Sequence, residues 1–170
     1  DMRDRLFICY AHQDAEWLRR LHIHLAPRVR DGHLLIWDDT YIIAGANWQS
    51  EIDTALEHSR VALLLVSPDF LASEFIIERE LPRLLSAAAD GSLRVLWIPL
   101  RASMVDQTKI AQYQAAHSPD RPLATLVDAE VDDALDRICR RVSEAFKAPD
   151  ALTTSVTARS IGKSSGANNE

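Results

Sequence analysis

The sequence predicts an α/β protein in which five parallel strands form one sheet, with helices on both of its faces. Two observations support this fold class. Short apolar runs alternate with amphipathic helical patterns five times along the chain, which is the arrangement of repeated β-α units. The run VALLLV at Val61–Val66 is apolar without interruption, as expected for a parallel strand that is covered on both faces.

Local patterns place the individual elements. Strands are predicted at Leu6–Tyr10, Leu34–Trp37, Val61–Val66, Leu93–Leu100 and, as a short fifth strand, Leu123–Val127. Helices are predicted at Asp14–Arg30, Asn47–Ser59, Pro68–Ala89 and Val131–Phe146, with a weak helix or loop at Met104–His117. We expect Pro27 to bend the first helix or end it early, and the third to break near Ser73 and bend near Pro82. Asn47 is a typical N-cap, because its side chain can accept hydrogen bonds from the first turn.

The length and composition predict one domain followed by a tail. The 170 residues are enough to bury a substantial core in one domain. We expect this domain to occupy residues 1–146, and residues 147–170 to form a flexible tail or linker, because they lose apolar periodicity and fill with Ser, Thr, Gly and Asn. Cys9 and Cys139 lie in apolar patterns and are expected to be buried free thiols of a cytoplasmic protein.

Charge and motifs exclude several classes of function. With 19 basic and 25 acidic residues the net charge is −6, which argues against binding to nucleic acid or to an anionic membrane. No apolar run approaches the length of a membrane span, and no secretory signal opens the chain. The GxGxxG and GxxxxGK[ST] phosphate loops and the GxSxG hydrolase motif are absent from the sequence. The histidines and cysteines show no metal-ligand spacing, so no metal site is predicted.

Three acidic residues follow the most apolar strand. Val61–Val66 stops at Ser67-Pro68, and the helical segment beyond it carries Glu74, Glu78 and Glu80. In open α/β sheets, ligands bind outside the carboxyl ends of the strands. A carboxylate on this segment is therefore a candidate for catalysis, although a solvated helix acid paired with a neighbouring arginine, such as Arg83 with Glu80, is the structural alternative.

Four sequence blocks, in this order, resemble the Toll/interleukin-1 receptor (TIR) domain family. The blocks are FICYAHQD at 7–14, LIWDD at 35–39, GANWQSEI at 45–52 and LVSPDF at 65–70. The segments LASEF and ELP that follow resemble bacterial members in style. The resemblance covers about residues 5–146 and implies a flavodoxin-like, doubly wound sheet with strand order 2-1-3-4-5.

The resemblance implies cleavage of NAD+ at the nicotinamide–ribose bond by one glutamate, with NAD+ as substrate and no cofactor. The family places this glutamate four residues after an aromatic residue and directly before an aliphatic one. Glu80-Leu81 matches the second half of that pattern, but Phe75 lies five residues before Glu80. Glu80 is therefore the favoured catalytic residue and Glu78 the alternative. In a regular helix these two would point about 200° apart, so only one of them could face the site. If the helix carries a bulge or begins late near Phe75, Glu80 can still face the site.

The resemblance also implies a set of substrate-binding residues, each with a structural alternative. Tyr10, Ala11 and His12 correspond to the loop that lines the nucleotide site, where His12 could meet phosphate or be a polar loop residue. Asp38 corresponds to an acid that fixes the following loop by hydrogen bonds. Further candidates are Gly45, Trp48, Ser67 and Phe75. Trp48 could instead belong to the core, and Ser67 could be a simple helix cap.

The segment Thr40–Asn47 corresponds to the family's BB loop, which covers the site and mediates assembly. Its apolar residues Tyr41, Ile42, Ile43 and Ala44, followed by Gly45, would be unusual on an idle loop, so we expect self-association here. The resemblance also suggests an anti-phage effector activated by assembly, with a sensor domain elsewhere in the full-length protein. The alternative function is a TIR interaction module without catalytic turnover.

Overall fold

The five predicted parallel strands form one sheet. A computed structural model of the chain describes residues 3–147, in which the strands have the order β2-β1-β3-β4-β5 and every pairing is parallel. The strands are β1 Arg5–Cys9, β2 Leu35–Trp37, β3 Ser59–Val66, β4 Arg94–Pro99 and β5 Gln114–Ala115. The predicted flavodoxin-like fold class is confirmed.

Helices pack on both faces of this sheet. They are α1 Ala15–Arg30, α2 Trp48–Glu57, α3 Pro68–Ala72, α4 Leu81–Ala88 and α5 Asp128–Lys147. The apolar residues of α1 and α5 form one core layer, and those of α2, α3 and α4 form the other. Pro27 lies inside α1, which continues to Arg30, so the early end predicted there is wrong. The predicted cap is confirmed, because Asn47 Oδ1 accepts from the Gln49 and Ser50 N–H groups at 3.1 and 3.3 Å.

The fifth strand does not lie where the sequence predicted it. Leu123–Val127 does not form a strand, since its first residues form a 3₁₀ turn, Leu123–Thr125, with the Leu123 side chain fully buried. The strand is Gln114–Ala115, inside the segment predicted as a weak helix or loop. Two residues of backbone pairing with Leu96 and Trp97 define it, so it needs no apolar run of its own.

The last helix runs one residue beyond its predicted end at Phe146. Helix α5 extends through Lys147, and residues 148–170 lie outside the described part of the chain. The boundary between domain and tail therefore stays a prediction.

The segment after β3 is divided into three helical pieces, and this division determines which way Glu80 faces. Ser67 caps α3, and the extended backbone of Ser73 ends it, which confirms the predicted break. A π-helical turn follows at Ile76–Glu80, closed by a hydrogen bond from the Leu81 N–H to the Ile76 carbonyl. A π turn inserts one extra residue into a helix. The five-residue interval between Phe75 and Glu80 thus spans the single turn that four residues span in an α-helix.

We expect that deletion of Glu78 converts the π turn into regular α-helix and keeps Glu80 in place. Glu78 is exposed, and its removal takes out the extra residue without disturbing the packing on either side. The free energy of unfolding in urea should be unchanged or higher. Deletion of Ser86, an equally exposed residue of the regular helix α4, rotates everything after it and should be strongly destabilising. Equal destabilisation by both deletions would contradict this account of the π turn.

Candidate active site

The candidate site lies where β1, β2 and β3 end at the same edge of the sheet. Tyr10, Ala11 and His12 follow β1, and Asp38 and Asp39 follow β2. The core layer that contains α2 and α4 covers this edge from one side, and Cys9 and Ala11 face into it. The structure therefore brings together predicted residues from the first two sequence blocks.

Glu80 points into this core layer rather than into solvent. Only 1% of the residue is exposed, and its Oε2 atom has no hydrogen-bond partner within residues 3–147. Burial, together with the negative charges of Asp39 and Asp38, raises the pKa of Glu80 to about 8, although a hydrogen bond with Cys9 opposes the shift. The carboxyl is consequently protonated in most molecules at neutral pH.

The structural alternative for Glu80, a solvated acid paired with Arg83, is wrong. Arg83 instead pairs with Asp53 of α2, with 2.6 Å between Arg83 Nη1 and Asp53 Oδ2. A buried acid without a cationic partner is costly to a fold, so its retention points to a functional role.

Glu78, the alternative catalytic residue, lies on the outside of the same segment. It is exposed and lines a groove of about 790 Å³ between α2 and α4, whose walls include Trp48 and Arg79. Glu80 does not line this groove. Of the two candidate acids, the π turn directs only Glu80 toward the ends of β1 and β2.

Asp38 fixes the start of the BB loop, as expected for its position. Its carboxylate accepts hydrogen bonds from the N–H and the hydroxyl of Thr40, the former at 3.0 Å, and lies 3.5 Å from His22 Nε2. Although burial opposes ionisation, these contacts with His22 and Thr40 hold the pKa of Asp38 below its usual value. Asp38 is thus a buried anion that anchors the loop to α1.

The next residue, Asp39, has a different environment. Its Oδ2 atom lies 3.1 Å from His12 Nε2, whereas its Oδ1 atom is buried and has no hydrogen-bond partner within residues 3–147. Burial raises the pKa of Asp39 above its usual value, and the contact with His12 opposes this rise. The same carboxylate links the loop after β2 to the loop after β1.

The loop after β1 exposes His12. His12 has 77% of its side chain exposed, whereas Tyr10 and Ala11 are buried. Burial of Tyr10, with the Asp39 and Asp38 carboxylates nearby, raises its pKa to about 12, so its hydroxyl remains a hydrogen-bond donor. His12 is the member of this group that a ligand in solution could reach without rearrangement.

The Ser67 side chain makes its hydrogen bonds within the protein. It is fully buried, and its Oγ accepts from the Phe70 N–H at 3.0 Å and donates to the Asp14 carboxylate. Arg101, after β4, pairs with both Asp14 and Asp69. Asp14 makes no side-chain cap to α1, so its carboxylate instead ties together three strand ends. These contacts favour the capping role for Ser67, and its contact with a substrate stays a prediction.

Trp48 and Phe75 pack against each other beside the BB loop. Their rings meet edge to face at 5.4 Å, and both are half-buried against the core. Arg79 and Arg83 stack over the same indole at 5.3 and 5.5 Å. Gly45 has a φ of +86°, the positive value expected of a loop glycine at this point. Contact of Trp48, Phe75 or Gly45 with substrate stays a prediction.

Comparison with known proteins places the chain in a family. A sequence model of the TIR domain matches residues 6–139. The chain belongs to the TIR domain family. A solved structure of the TIR domain of the Toll-related receptor TRR-2 from Hydra magnipapillata is 21% identical, with a TM-score of 0.51, and the match covers 80% of this chain and 94% of that one. At this identity the likeness supports the shared TIR fold alone.

Two curated proteins are similar in sequence to this TIR domain. The uncharacterized protein y4lF of Sinorhizobium fredii (strain NBRC 101917 / NGR234) is 29% identical over 140 residues, 82% of this chain and 43% of that protein. The NAD(+) hydrolase TcpA of Theionarchaea archaeon (strain DG-70-1) is 29% identical over 92 residues, 54% of this chain and 27% of that protein. The chain spans less than half the length of either relative.

Two groups at the candidate site of this TIR domain were missed by sequence reasoning. Cys9 was expected only to be buried, yet its thiol faces the Glu80 carboxyl as a hydrogen-bond donor. Asp39 was noted only as the neighbour of Asp38. The alternation of side chains along β1 could have placed Cys9 on the same face as Phe7, but nothing in the sequence pairs Asp39 with His12.

Two further findings bear on the chemistry of the TIR domain. Among residues 3–147, no group of three or more His, Cys, Asp or Glu side chains is placed to hold a metal ion. In the same range, no helix has the length and apolar character needed to cross a membrane.

We expect Glu80→Gln to stabilise the TIR domain at alkaline pH. The folded pKa of about 8 lies above the ordinary value of 4.5, so the folded state binds more protons between these pH values. The wild-type free energy of unfolding therefore falls as pH rises through this window, whereas the variant lacks this loss. Their difference should widen from pH 4.5 to pH 8 by on the order of 3 kcal/mol.

Urea denaturation at a series of pH values measures this difference. Glu78→Gln, which removes an exposed carboxyl two residues earlier, is the matched control and should follow the wild type. A constant gap between Glu80→Gln and wild type across the whole pH range would show that Glu80 is not a protonated buried acid.

Proposed function

We propose that this TIR domain cleaves NAD+ at the bond between nicotinamide and ribose, with Glu80 as the catalytic carboxylate. The observation that carries the proposal is an acid, 1% exposed and without a cationic partner among residues 3–147, held at the carboxyl edge of a parallel sheet. Ligands of such sheets bind at this edge, and strongly perturbed acids cluster at functional sites. Similarity to a protein named NAD(+) hydrolase TcpA over 54% of the chain supports the same activity.

One carboxylate is sufficient for this reaction. The nicotinamide of NAD+ is cationic and departs as a neutral molecule, so the leaving group needs no acid. The transition state resembles an oxocarbenium ion, which a nearby carboxylate stabilises while it orients the ribose hydroxyls. Addition of water to the ribose carbon then gives ADP-ribose, and attack by a group of the same molecule gives a cyclic isomer. The ionised form of Glu80 is the active one.

The loop after β1 fits the phosphate end of such a substrate. His12 is exposed, and its imidazole can donate a hydrogen bond to a phosphate oxygen. Tyr10 keeps its hydroxyl proton and can donate to an oxygen of the substrate once the covering residues move. Asp38 anchors the BB loop that covers this side of the site, and the positive φ of Gly45 allows the loop to turn there.

The BB loop supports a second function, which is interaction with other TIR domains. Tyr41 is 56% exposed and Ile43 is 77% exposed, although both carry large apolar or aromatic groups. Such side chains on one loop are typical of a contact surface. We propose self-association through this loop, with an anti-phage effector in the cytoplasm as the setting. Interaction without turnover is the alternative to the enzyme.

We expect Glu80→Gln to lower nicotinamide release from NAD+ by roughly 100-fold or more, because the charge opposite the oxocarbenium ion is lost. Purified protein is incubated with NAD+ and nicotinamide is quantified by chromatography. Glu78→Gln, the matched control, should keep near wild-type activity. Full activity in Glu80→Gln would overturn the assignment, and no release by the wild type at high concentration or under crowding would favour the interaction module.

Activity should rise faster than linearly with protein concentration, because assembly through the BB loop brings TIR domains together. Ile43→Asp places a charge on the most exposed apolar residue of the loop and should abolish the upward curvature. Ile23→Asp on α1, 57% exposed and outside the loop segment, is the control and should retain it. Initial rates over a wide concentration range, with light scattering in parallel, make the measurement. A strictly linear rate in the wild type would contradict activation by assembly.

A further inference from the structure

Two buried carboxyl groups at the candidate site each leave one oxygen without a partner. Within residues 3–147 these atoms are Oδ1 of Asp39 and Oε2 of Glu80. The charge of Asp39 disfavours ionisation of Glu80 more than any other charge does. Two neighbouring carboxyls in a dry environment resist carrying two negative charges at once, so the pair retains one proton.

The surrounding donors decide which carboxyl keeps that proton. Asp39 has His12 Nε2 at 3.1 Å, the nearby Tyr10 hydroxyl also favours its ionised form, and 14% of its side chain reaches solvent. Among residues 3–147, Glu80 has no cationic partner, lies beside the weakly donating Cys9 thiol and is almost fully buried. Asp39 is therefore the anion of the pair, and Glu80 holds the proton.

We propose that Asp39 is a positioning residue that keeps Glu80 protonated while the Asp39–His12 pair is closed, so that Glu80 becomes an anion when this pair opens. The effect of Asp39 on the protonation of Glu80 does not depend on whether the domain is an enzyme. Its consequence for catalysis rests on the proposed function, in which only the ionised Glu80 stabilises the transition state. The structure with the pair closed is then the resting state.

The position of Asp39 in the chain couples the protonation of Glu80 to movement of the BB loop. Asp39 begins the 3₁₀ turn Asp39–Tyr41, which leads into the exposed part of the BB loop. His12 is a surface side chain, so the pair that it forms with Asp39 lies at the rim of the site and can be broken from outside. Asp38 has its own anchors, Thr40 and His22, and need not move with it.

Opening of the pair changes the environment of Glu80 in two ways that act together. The negative charge of Asp39 moves away, and water gains access to a carboxyl whose residue is 1% exposed in the closed structure. Both changes favour ionisation, and the proton of Glu80 passes to the solvent. The other groups that face Glu80, the Cys9 thiol and the more distant Asp38 carboxylate, stay in place. Contact between BB loops of neighbouring domains is one event that would displace Asp39.

The titration of Glu80 itself tests the proposal without reference to activity. Protein labelled with ¹³C at the glutamate side-chain carboxyl is titrated by NMR, and Glu80→Gln identifies the Glu80 signal. Asp39→Asn removes the charge and keeps an oxygen that can accept from His12. The midpoint of Glu80 should fall by about one pH unit or more in this variant, because a neighbouring like charge is gone. Asp39→Ser serves as the second variant if Asp39→Asn does not fold.

A matched control separates this contact from the general charge of the protein. Asp53→Asn removes the same charge from α2, where Asp53 is half exposed and paired with Arg83. It should leave the Glu80 midpoint unchanged. An unchanged midpoint in Asp39→Asn overturns the proposal, and so does a shift of equal size in Asp53→Asn.

The catalytic consequence has its own readout. In dilute protein, kcat for nicotinamide release by Asp39→Asn should exceed the wild-type value several-fold near pH 6.5, with the acid limb of its pH profile displaced to lower pH and KM changed less. If the NMR midpoint of Glu80 shifts in Asp39→Asn but the pH profile of kcat does not, the proposed control of catalysis is overturned. Absence of nicotinamide release from every variant overturns the proposed function, whereas the NMR result still decides the role of Asp39.

Discussion

Helices cover both faces of β1, β3 and β4, and the only charged side chains of these three strands lie at or next to their first residues, at Arg5, Arg60 and Arg94, whereas the rest of each strand is buried. Polar groups must collect where the strands end, and they do so at the edge where 10–14, 38–40 and 67–69 follow β1, β2 and β3. Arg101 after β4 joins them through its pairs with Asp14 and Asp69. The packing of the sheet therefore decides where chemistry can occur before any particular residue is considered.

Glu80 is the exception to this rule, because it brings an acid beneath the covering helices. Ile76 and Leu81, its neighbours in the chain, belong to the apolar layer on that face, and the π turn carries Glu80 inward with them. The fold accommodates the acid by keeping it uncharged rather than by pairing it with a cation. The uncharged state of this acid in turn depends on the charges that follow β2, above all that of Asp39.

The sequence predicted those features that depend on near neighbours. The apolar run of β3, the cap at Asn47 and the break at Ser73 each follow from a few adjacent residues, and all three are present. β5 could not be predicted, because its two residues are defined only by backbone pairing with β4, while Leu123 supplies apolar burial from a turn. The Asp39–His12 contact joins residues 27 positions apart, which no local pattern encodes.

The burial of Cys9 beside Glu80 has a practical consequence. A thiol reacts with an alkylating reagent only as an exposed thiolate, and burial holds the pKa of Cys9 well above its usual value. Cys139 is the other cysteine and lies on α5, in the opposite core layer. The rate at which a reagent modifies Cys9 therefore reports how often the structure opens enough to uncover this thiol and the acid beside it, without an introduced probe.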